Sequence, residues 1–294
     1  MRILVTGRQG QVARALLNAA GGDVVIDALG RPELDVTDRE SIDLAIRRLS
    51  PDILVNAAAY TAVDKAETEE ASAFAVNCQG ASNAAASAAA ARIPIIHIST
   101  DYVFSGDKED PYREEEPTRP INVYGRSKLA GEQAVAAANP AHVMLRTAWV
   151  YAPWGSNFVR TMLRLAAERD TIRVVADQWG TPTYAPDIAE GILTVARKAL
   201  GDAKGEAWRG IFHMTAAGAT SWAGFAEAIF SASAAHGAPT SRVEPITTAE
   251  YPTRARRPAN SLLDNAKFRS TFGHGFPEWR SGVIRCAAEL CKHV

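Results

Sequence analysis

Cysteine is scarce in this chain: three residues in 294, Cys78, Cys286 and Cys291. They form no CxxC and make no metal-ligand spacing with the six histidines, which argues against a disulfide scaffold and a structural zinc site. A surplus of one charge is missing too. The 32 basic and 33 acidic residues leave a net charge of −1, so no basic excess points to nucleic acid or an anionic membrane. No apolar run reaches the roughly 18 residues that a membrane span needs. Met1–Val5 reads as a strand rather than a secretory leader, and the expected compartment is the cytoplasm. Internal repeats are absent, as is any linker long enough to part independent domains. What remains is an ordinary globular balance, 47% hydrophobic and 22% charged, with length for one large α/β domain and a smaller lobe.

Short apolar runs alternate with helical stretches. Ile3–Thr6, Val24–Ile26, Ile53–Val55, Ile95–Ile98 and Val143–Arg146 are continuously apolar, as expected of strands covered on both faces in a parallel sheet. Helices are expected at 11–20, 39–49, 69–91 and 124–138 between them, and at 158–169 and 186–200 further on. The β-α-β-α-β order predicts an α/β fold, a Rossmann-type doubly wound parallel sheet with a smaller C-terminal α+β substrate-binding lobe. The expected division gives 1–150 plus about 183–207 to a cofactor domain, and 151–182 with 208–294 to the lobe. The stretch 247–258, rich in Arg and Pro, reads as a surface loop.

The first strand runs into Thr6-Gly7-Arg8-Gln9-Gly10-Gln11-Val12-Ala13. Gly7 and Gly10 permit a tight turn and close approach of backbone to a pyrophosphate. A helix starting near Gln11 aims its free N–H groups at that anion. The spacing is GxxGxxA rather than GxGxxG, with Ala13 small enough for close helix–strand packing. A glycine pair alone is an ordinary turn; its place between first strand and first helix gives it meaning. At the end of the second strand Arg31 suits the 2′-phosphate of NADPH, while Asp27 is a competing acidic signal placed early for a ribose. A solvated surface arginine is the plainer reading. Asp35 and Val36 are candidates for an adenine pocket, unless Thr37 or Asp38 merely caps the next helix.

Tyr124 and Lys128 form YxxxK, four apart on one helix face. A lysine ammonium beside a tyrosine hydroxyl favours the phenolate and lowers the tyrosine pKa. The pentapeptide occurs by chance on many surface helices. Here it opens the helix after the fourth strand, which ends in Ile98-Ser99-Thr100-Asp101-Tyr102-Val103-Phe104. A hydroxyl there, Thr100 or Ser99, faces the crevice where open α/β sheets bind ligands. Asn56-Ala57-Ala58-Ala59-Tyr60-Thr61 ends the third strand with small side chains along which a cofactor can lie.

In this order and spacing the pieces resemble the extended short-chain dehydrogenase/reductase superfamily. Asn56–Glu67, Ser99–Phe104, Arg146–Tyr151 with Asn157-Phe158, Asp177–Thr183 and Arg257–Ser261 together resemble its branch that completes dTDP-L-rhamnose. The resemblance implies an NAD(P)H-dependent oxidoreductase. Hydride would pass from NADPH, or NADH, to C4 of the ketone dTDP-4-dehydro-L-rhamnose. It makes Tyr124 the proton donor, Lys128 its helper, and Thr100 a hydroxyl on the substrate oxygen. Gly10, Gln11 and Val12 match the pyrophosphate turn, Asp35 and Val36 the adenine side, and Ala57, Ala58, Ala59, Tyr60 and Thr61 the stretch along the cofactor. Val63, Asp101, Tyr102 and Trp149 match positions touching the sugar nucleotide. Trp149 without that context is a core or interface aromatic.

Some members hold magnesium at a dimer interface through glutamates. Ala15 stands at one such position and Glu190 at another, so no metal is expected, and monomer and homodimer both stay open. Two other functions stay open. An epimerase would share most of these motifs and recycle its cofactor, whereas a 4,6-dehydratase needs an Asp-Glu pair where Asp101-Tyr102 stands. A non-catalytic NADP-binding regulatory subunit would not need Tyr124, Lys128 and Thr100.

Overall fold

Apolar runs with no polar face must be covered on both sides, and here they are. The computed structural model describes residues 1–291; positions 292–294, which end the expected lobe, lie outside the described residues. The strands are β1 (Arg2–Thr6), β2 (Val25–Leu29), β3 (Ile53–Asn56), β4 (Ile95–Thr100) and β5 (His142–Thr147). They lie parallel in the order β2-β1-β3-β4-β5, with Gly210–His213 added parallel beyond β5. From β1 the chain goes outward to β2 and then across to β3, so the topological switch point lies between β1 and β3. In such sheets ligands bind outside the carboxyl ends of the strands at that point.

On one face lie α1 (Gln11–Asn18) and, returning from later in the chain, Ala185–Gly201. They bury Val12, Leu16, Ile188 and Ile192 against β1 and β5. On the other face α2 (Arg39–Leu49) and the alanine-rich Ala81–Ala90 bury Ile42, Ile46, Ala84 and Ala88 against β1, β3 and β4. The helix expected over 69–91 is instead three pieces. Glu70–Phe74 and Ala81–Ala90 are α-helical, and Ala75–Gly80 between them is a π-helical turn. Such turns widen the backbone and commonly mark working positions. It packs on residues distant in sequence: the carbonyl of Asn77 sits where a Cβ at Gly131 would stand, and Val36 packs on Gly80.

The helix of the YxxxK motif, Val123–Ala138, is pressed against the main sheet through Val135 and against the π-helical turn. A third core joins Phe158–Ala166, Trp222–Ala234 and Trp279–Leu290 around Phe225, Ile229 and Val283. The strands of this α+β lobe, expected without positions after 208, include Thr171–Val175 and Arg242–Ile246, which pair in parallel. The second is mostly exposed and carries Pro245, the mark of an edge strand with little apolar pattern to read. The segment from 208 onward also serves the main sheet. It supplies Gly210–His213 and, from Ala266–Phe272, the buried Phe268 and Phe272. The stretch 247–258 is partly a surface loop, but Ala255 within it is buried.

Candidate active site

The turn after β1 is folded onto the loop after β3. Gly7 has φ +79°, and a Cβ there would lie 2.8 Å from the Cα of Ala58. Only glycine fits both the left-handed backbone and that approach. Gly10 closes the turn, its N–H donating to the carbonyl of Gly7 at 2.8 Å, and begins α1 with no side-chain cap. The first N–H groups of α1 are thereby left for an anion. That cradle at the switch point fits a dinucleotide pyrophosphate. Val12 is buried in the core, so it offers a ligand its backbone rather than its side chain.

Arg31 is already engaged. Its Nε and Nη2 fork onto the Asp35 carboxylate at 2.7 and 3.2 Å. The guanidinium holds the Asp35 carboxyl below its ordinary range, and Asp35 raises the guanidinium pKa in turn. Asp27 is taken by Arg2 at 2.9 Å. The Val36 side chain is buried against α2, while its carbonyl accepts from Asn83 Nδ2 at 3.0 Å. Ala57, Ala58, Ala59 and Tyr60 are half-buried along the groove and Thr61 is exposed. The Tyr60 hydroxyl turns outward to Glu69 at 2.6 Å.

Tyr124 stands in the first turn of its helix, beside the end of β4. It meets Tyr102 edge to face, with ring centroids 5.8 Å apart. Burial pushes its hydroxyl up to about 12, against a hydrogen bond with Thr100 that lowers it. The lowering expected from Lys128 is not found, and the lysine turns inward. Lys128 is buried, and its Nζ donates to the carbonyl of Ile98 at 2.6 Å and lies 3.4 Å from His97 Nε2. Burial lowers that ammonium to about 8, with Glu132 acting the other way. Thr100 Oγ1 donates to Asp101 Oδ1 at 2.8 Å. The buried Asp101 carboxyl is held up at about 6 by loss of solvent.

The residues expected around the sugar lie on several elements. Val63 opens the short helix Val63–Ala66, and the neighbouring Asp64 pairs with Arg257 at 2.7 Å, drawing the 255–257 segment over the site. Asp101 and Tyr102 belong to a 3-10 turn after β4. The carbonyl of Tyr102 abuts Gly125, where any side chain would collide, so this glycine lets the tyrosine helix seat. Trp149 has φ +46° and stacks on Trp222 at 3.5 Å between ring centroids, with Gly180 under its edge. A tryptophan held in the left-handed region is a strained feature of the kind that gathers at functional sites.

Ser99, the other hydroxyl expected at the crevice, is instead buried against Glu132, and several supporting residues were not singled out from the sequence. Asn77, in the π-helical turn, accepts from Tyr60 N–H at 2.8 Å and donates to Ser127 Oγ at 2.9 Å. Asn122 caps the tyrosine helix on Gly125 N–H and donates to the carbonyl of Arg256. Glu132 receives a bidentate Arg146 in the buried interior, and Ser99 donates to the same carboxylate. Only the asparagine before a helix start was a readable signal; the rest depend on tertiary packing. Among the described residues no group of three or more His, Cys, Asp or Glu is arranged to hold a metal ion, and no helix is long and apolar enough to cross a membrane.

A parallel sheet with a glycine cradle at its switch point, and a Tyr–Lys helix facing a strand-end threonine, is the plan of an extended short-chain dehydrogenase/reductase. The chain belongs more narrowly to the RmlD substrate binding domain family, which it matches over residues 1–292. It is 51% identical over 285 residues to dTDP-4-dehydrorhamnose reductase of Sinorhizobium fredii, covering 97% of this chain and 96% of that one. It is 41% identical over 285 residues to a probable dTDP-4,6-dihydroxy-2-methyloxan-3-one 4-ketoreductase of Streptomyces antibioticus, covering 96% and 93%. Among solved structures it is similar to dTDP-4-dehydrorhamnose reductase of Bacillus anthracis in complex with NADP. The TM-score is 0.91 at 35% identity, covering 98% of this chain and 99% of that one.

Proposed function

We propose that the protein reduces the C4 ketone of dTDP-4-dehydro-L-rhamnose to dTDP-L-rhamnose, using NADPH or NADH. The observation that carries this reading is the 51% identity to a dTDP-4-dehydrorhamnose reductase across nearly the full length, with Tyr124, Lys128 and Thr100 gathered at one strand end. When bound, the reduced nicotinamide supplies a hydride to the ketone carbon. Gly7, Gly10, Gln11 and Val12 hold the pyrophosphate by backbone approach, and Ala57 to Thr61 flank the rest. Arg31 is assigned to a 2′-phosphate, and Asp35 and Val36 to the adenine side. The division into a cofactor domain of 1–150 plus about 183–207, with 151–182 and 208–294 forming the lobe, belongs to the same proposal, save that Gly210–His213 and Ala266–Phe272 serve the main sheet.

Tyr124 stays protonated at neutral pH because burial holds its pKa high, so it enters the reaction as a proton donor. Its proton goes to the substrate oxygen as negative charge gathers there. Thr100 orients Tyr124 and the same oxygen. Lys128 supports the phenolate left behind by its positive charge. Val63, Asp101, Tyr102 and Trp149 hold the sugar nucleotide. The free cysteines, Cys286 buried and Cys78 and Cys291 half-buried, accord with work in the reducing cytoplasm.

A second reading keeps the chemistry and changes the sugar. The Streptomyces antibioticus relative carries the name of a 4-ketoreductase for a different dTDP-sugar. The test is the loss of NADPH absorbance with dTDP-4-dehydro-L-rhamnose, with NADH in parallel and the product identified by sugar analysis. Stoichiometric oxidation yielding dTDP-L-rhamnose is expected. Turnover without net oxidation would instead mean an epimerase. Bound cofactor with no turnover would mean a regulatory subunit.

A further inference from the structure

Lys128 ends a line of buried polar groups that crosses three strands. The register sets Thr6 on β1 beside Asn56 on β3, and Asn56 beside His97 on β4. All three are buried, with His97 fully enclosed. The hydrogen bonds run in one direction along the line. Ala58 N–H donates to Thr6 Oγ1 at 3.2 Å. The threonine hydroxyl then donates its own hydrogen to Asn56 Oδ1 at 2.6 Å. This turns the Asn56 amide nitrogen toward His97 Nδ1, 3.0 Å away. An Nδ1 that accepts leaves the hydrogen of the neutral ring on Nε2. That N–H faces Lys128 Nζ at 3.4 Å.

We propose that His97 is a positioning residue for Lys128: fixed in one tautomer by Asn56 and Thr6, it presents an N–H to Nζ and sets how readily the lysine keeps its proton. The proposal rests on the reading of Tyr124 and Lys128 as proton donor and helper. An ammonium facing an N–H has one donor without an acceptor, whereas an amine accepts from it while still donating to the Ile98 carbonyl. The arrangement therefore weakens the ammonium relative to the amine, so that Lys128, still charged at neutral pH, gives up its proton more readily. His97 stays neutral, since burial first and the neighbouring lysine second carry its pKa well below the ordinary value.

The other ionisable groups around Lys128 do not produce this effect. On its own helix Glu132 favours the charged form and is neutralised by Arg146 from β5, and Tyr124 is a neutral phenol. Beyond Thr100 lies Asp101. The π-helical turn brings Cys78, a thiol kept protonated by burial, and the helix Ala81–Ala90 has no ionisable side chain. The short helices packed on the far side bring Asp64 and Lys65, and Glu70, which is paired with Arg126; Asp64 is paired with Arg257.

The test is the pH profile of kcat/KM, whose alkaline limb reads the lysine in the free enzyme. Asn56→Asp puts an acceptor opposite Nδ1, moves the ring hydrogen there, and turns Nε2 into an acceptor for the ammonium. Its alkaline limb is expected to move to higher pH by more than about one pH unit, a tenfold change in proton affinity. Thr6→Val, nearly isosteric, frees the Asn56 amide and is expected to move the limb the same way by less. It decides the matter if Asn56→Asp does not fold. A limb that stays in place or moves to lower pH in the folded variants overturns the proposal, even where stability falls. Tyr124→Phe is run beside them. If it keeps full activity, the reading of the site fails; if it is inactive and the limbs do not move, only the role of His97 fails.

Discussion

Asn157 donates from Nδ2 to the side-chain oxygen of Gln11 at 2.9 Å, joining residues 146 positions apart in the chain. Gln11 begins the helix at the phosphate-binding turn, and its own Nε2 donates to the carbonyl of Val150, next to Trp149. The Trp154 indole N–H adds a third tie, to the Gln11 carbonyl at 3.2 Å. The end of the cofactor groove and the strand leading from Trp149 are therefore held at a fixed separation.

Replacing Asn157 by Ala tests that tie. The change also removes the N-cap of Phe158–Ala166, where Asn157 Oδ1 accepts from Arg160 N–H. Stability should fall by about 1–2 kcal/mol in a denaturant titration. NADPH should bind more weakly in a fluorescence titration, because Gln11 is then free to leave the turn.

Tyr124→Phe removes the donor hydroxyl and little else. Turnover should fall by about 100- to 10,000-fold, the range expected for loss of a positioned acid. The dissociation constant for NADPH should stay close to that of the unchanged protein.

Asp101 makes stability depend on pH in the mildly acidic range. Its carboxyl titrates at about 6 when folded, above the ordinary 3.8. Between those values the folded protein keeps a proton that the unfolded chain has lost, so stability falls as pH rises from about 4 to about 6, by about 3 kcal/mol, and then levels off. Asp101→Asn should abolish that slope, as read from unfolding midpoints across the window.

Glu132 is the counter-ion of a buried arginine. Its carboxylate and the Arg146 side chain are 4% and 2% exposed, with 2.7 Å between their nearest charged atoms. Glu132→Ala strands a cation in the interior and should cost about 3–5 kcal/mol, measured by chemical denaturation.

How much of this was legible in the sequence depends on the range of the interaction. The strands from β1 to β5 could be read because continuous apolar runs report two covered faces. Gly7 and Gly10 were readable from their place between strand and helix. Tyr124, Lys128 and Thr100 were readable as a pattern, but the inward turn of Lys128 was not. It depends on His97, which looks like one more residue in an apolar strand until register brings Asn56 beside it. The break in 69–91 was hidden by its alanine-rich composition, which favours an unbroken helix locally. The demand for a wider turn comes from Gly131, half a hundred positions away, and local propensity carries no trace of it.

The main sheet draws its last strand from Gly210–His213, and part of its core from Phe268 and Phe272. During synthesis the N-terminal half therefore leaves the ribosome with the outer edge of β5 open and an apolar gap on one face. An open edge of this kind is a template for pairing with other chains. Release of a chain that stops before residue 266 should thus give a sticky, protease-sensitive product rather than a smaller cofactor-binding protein.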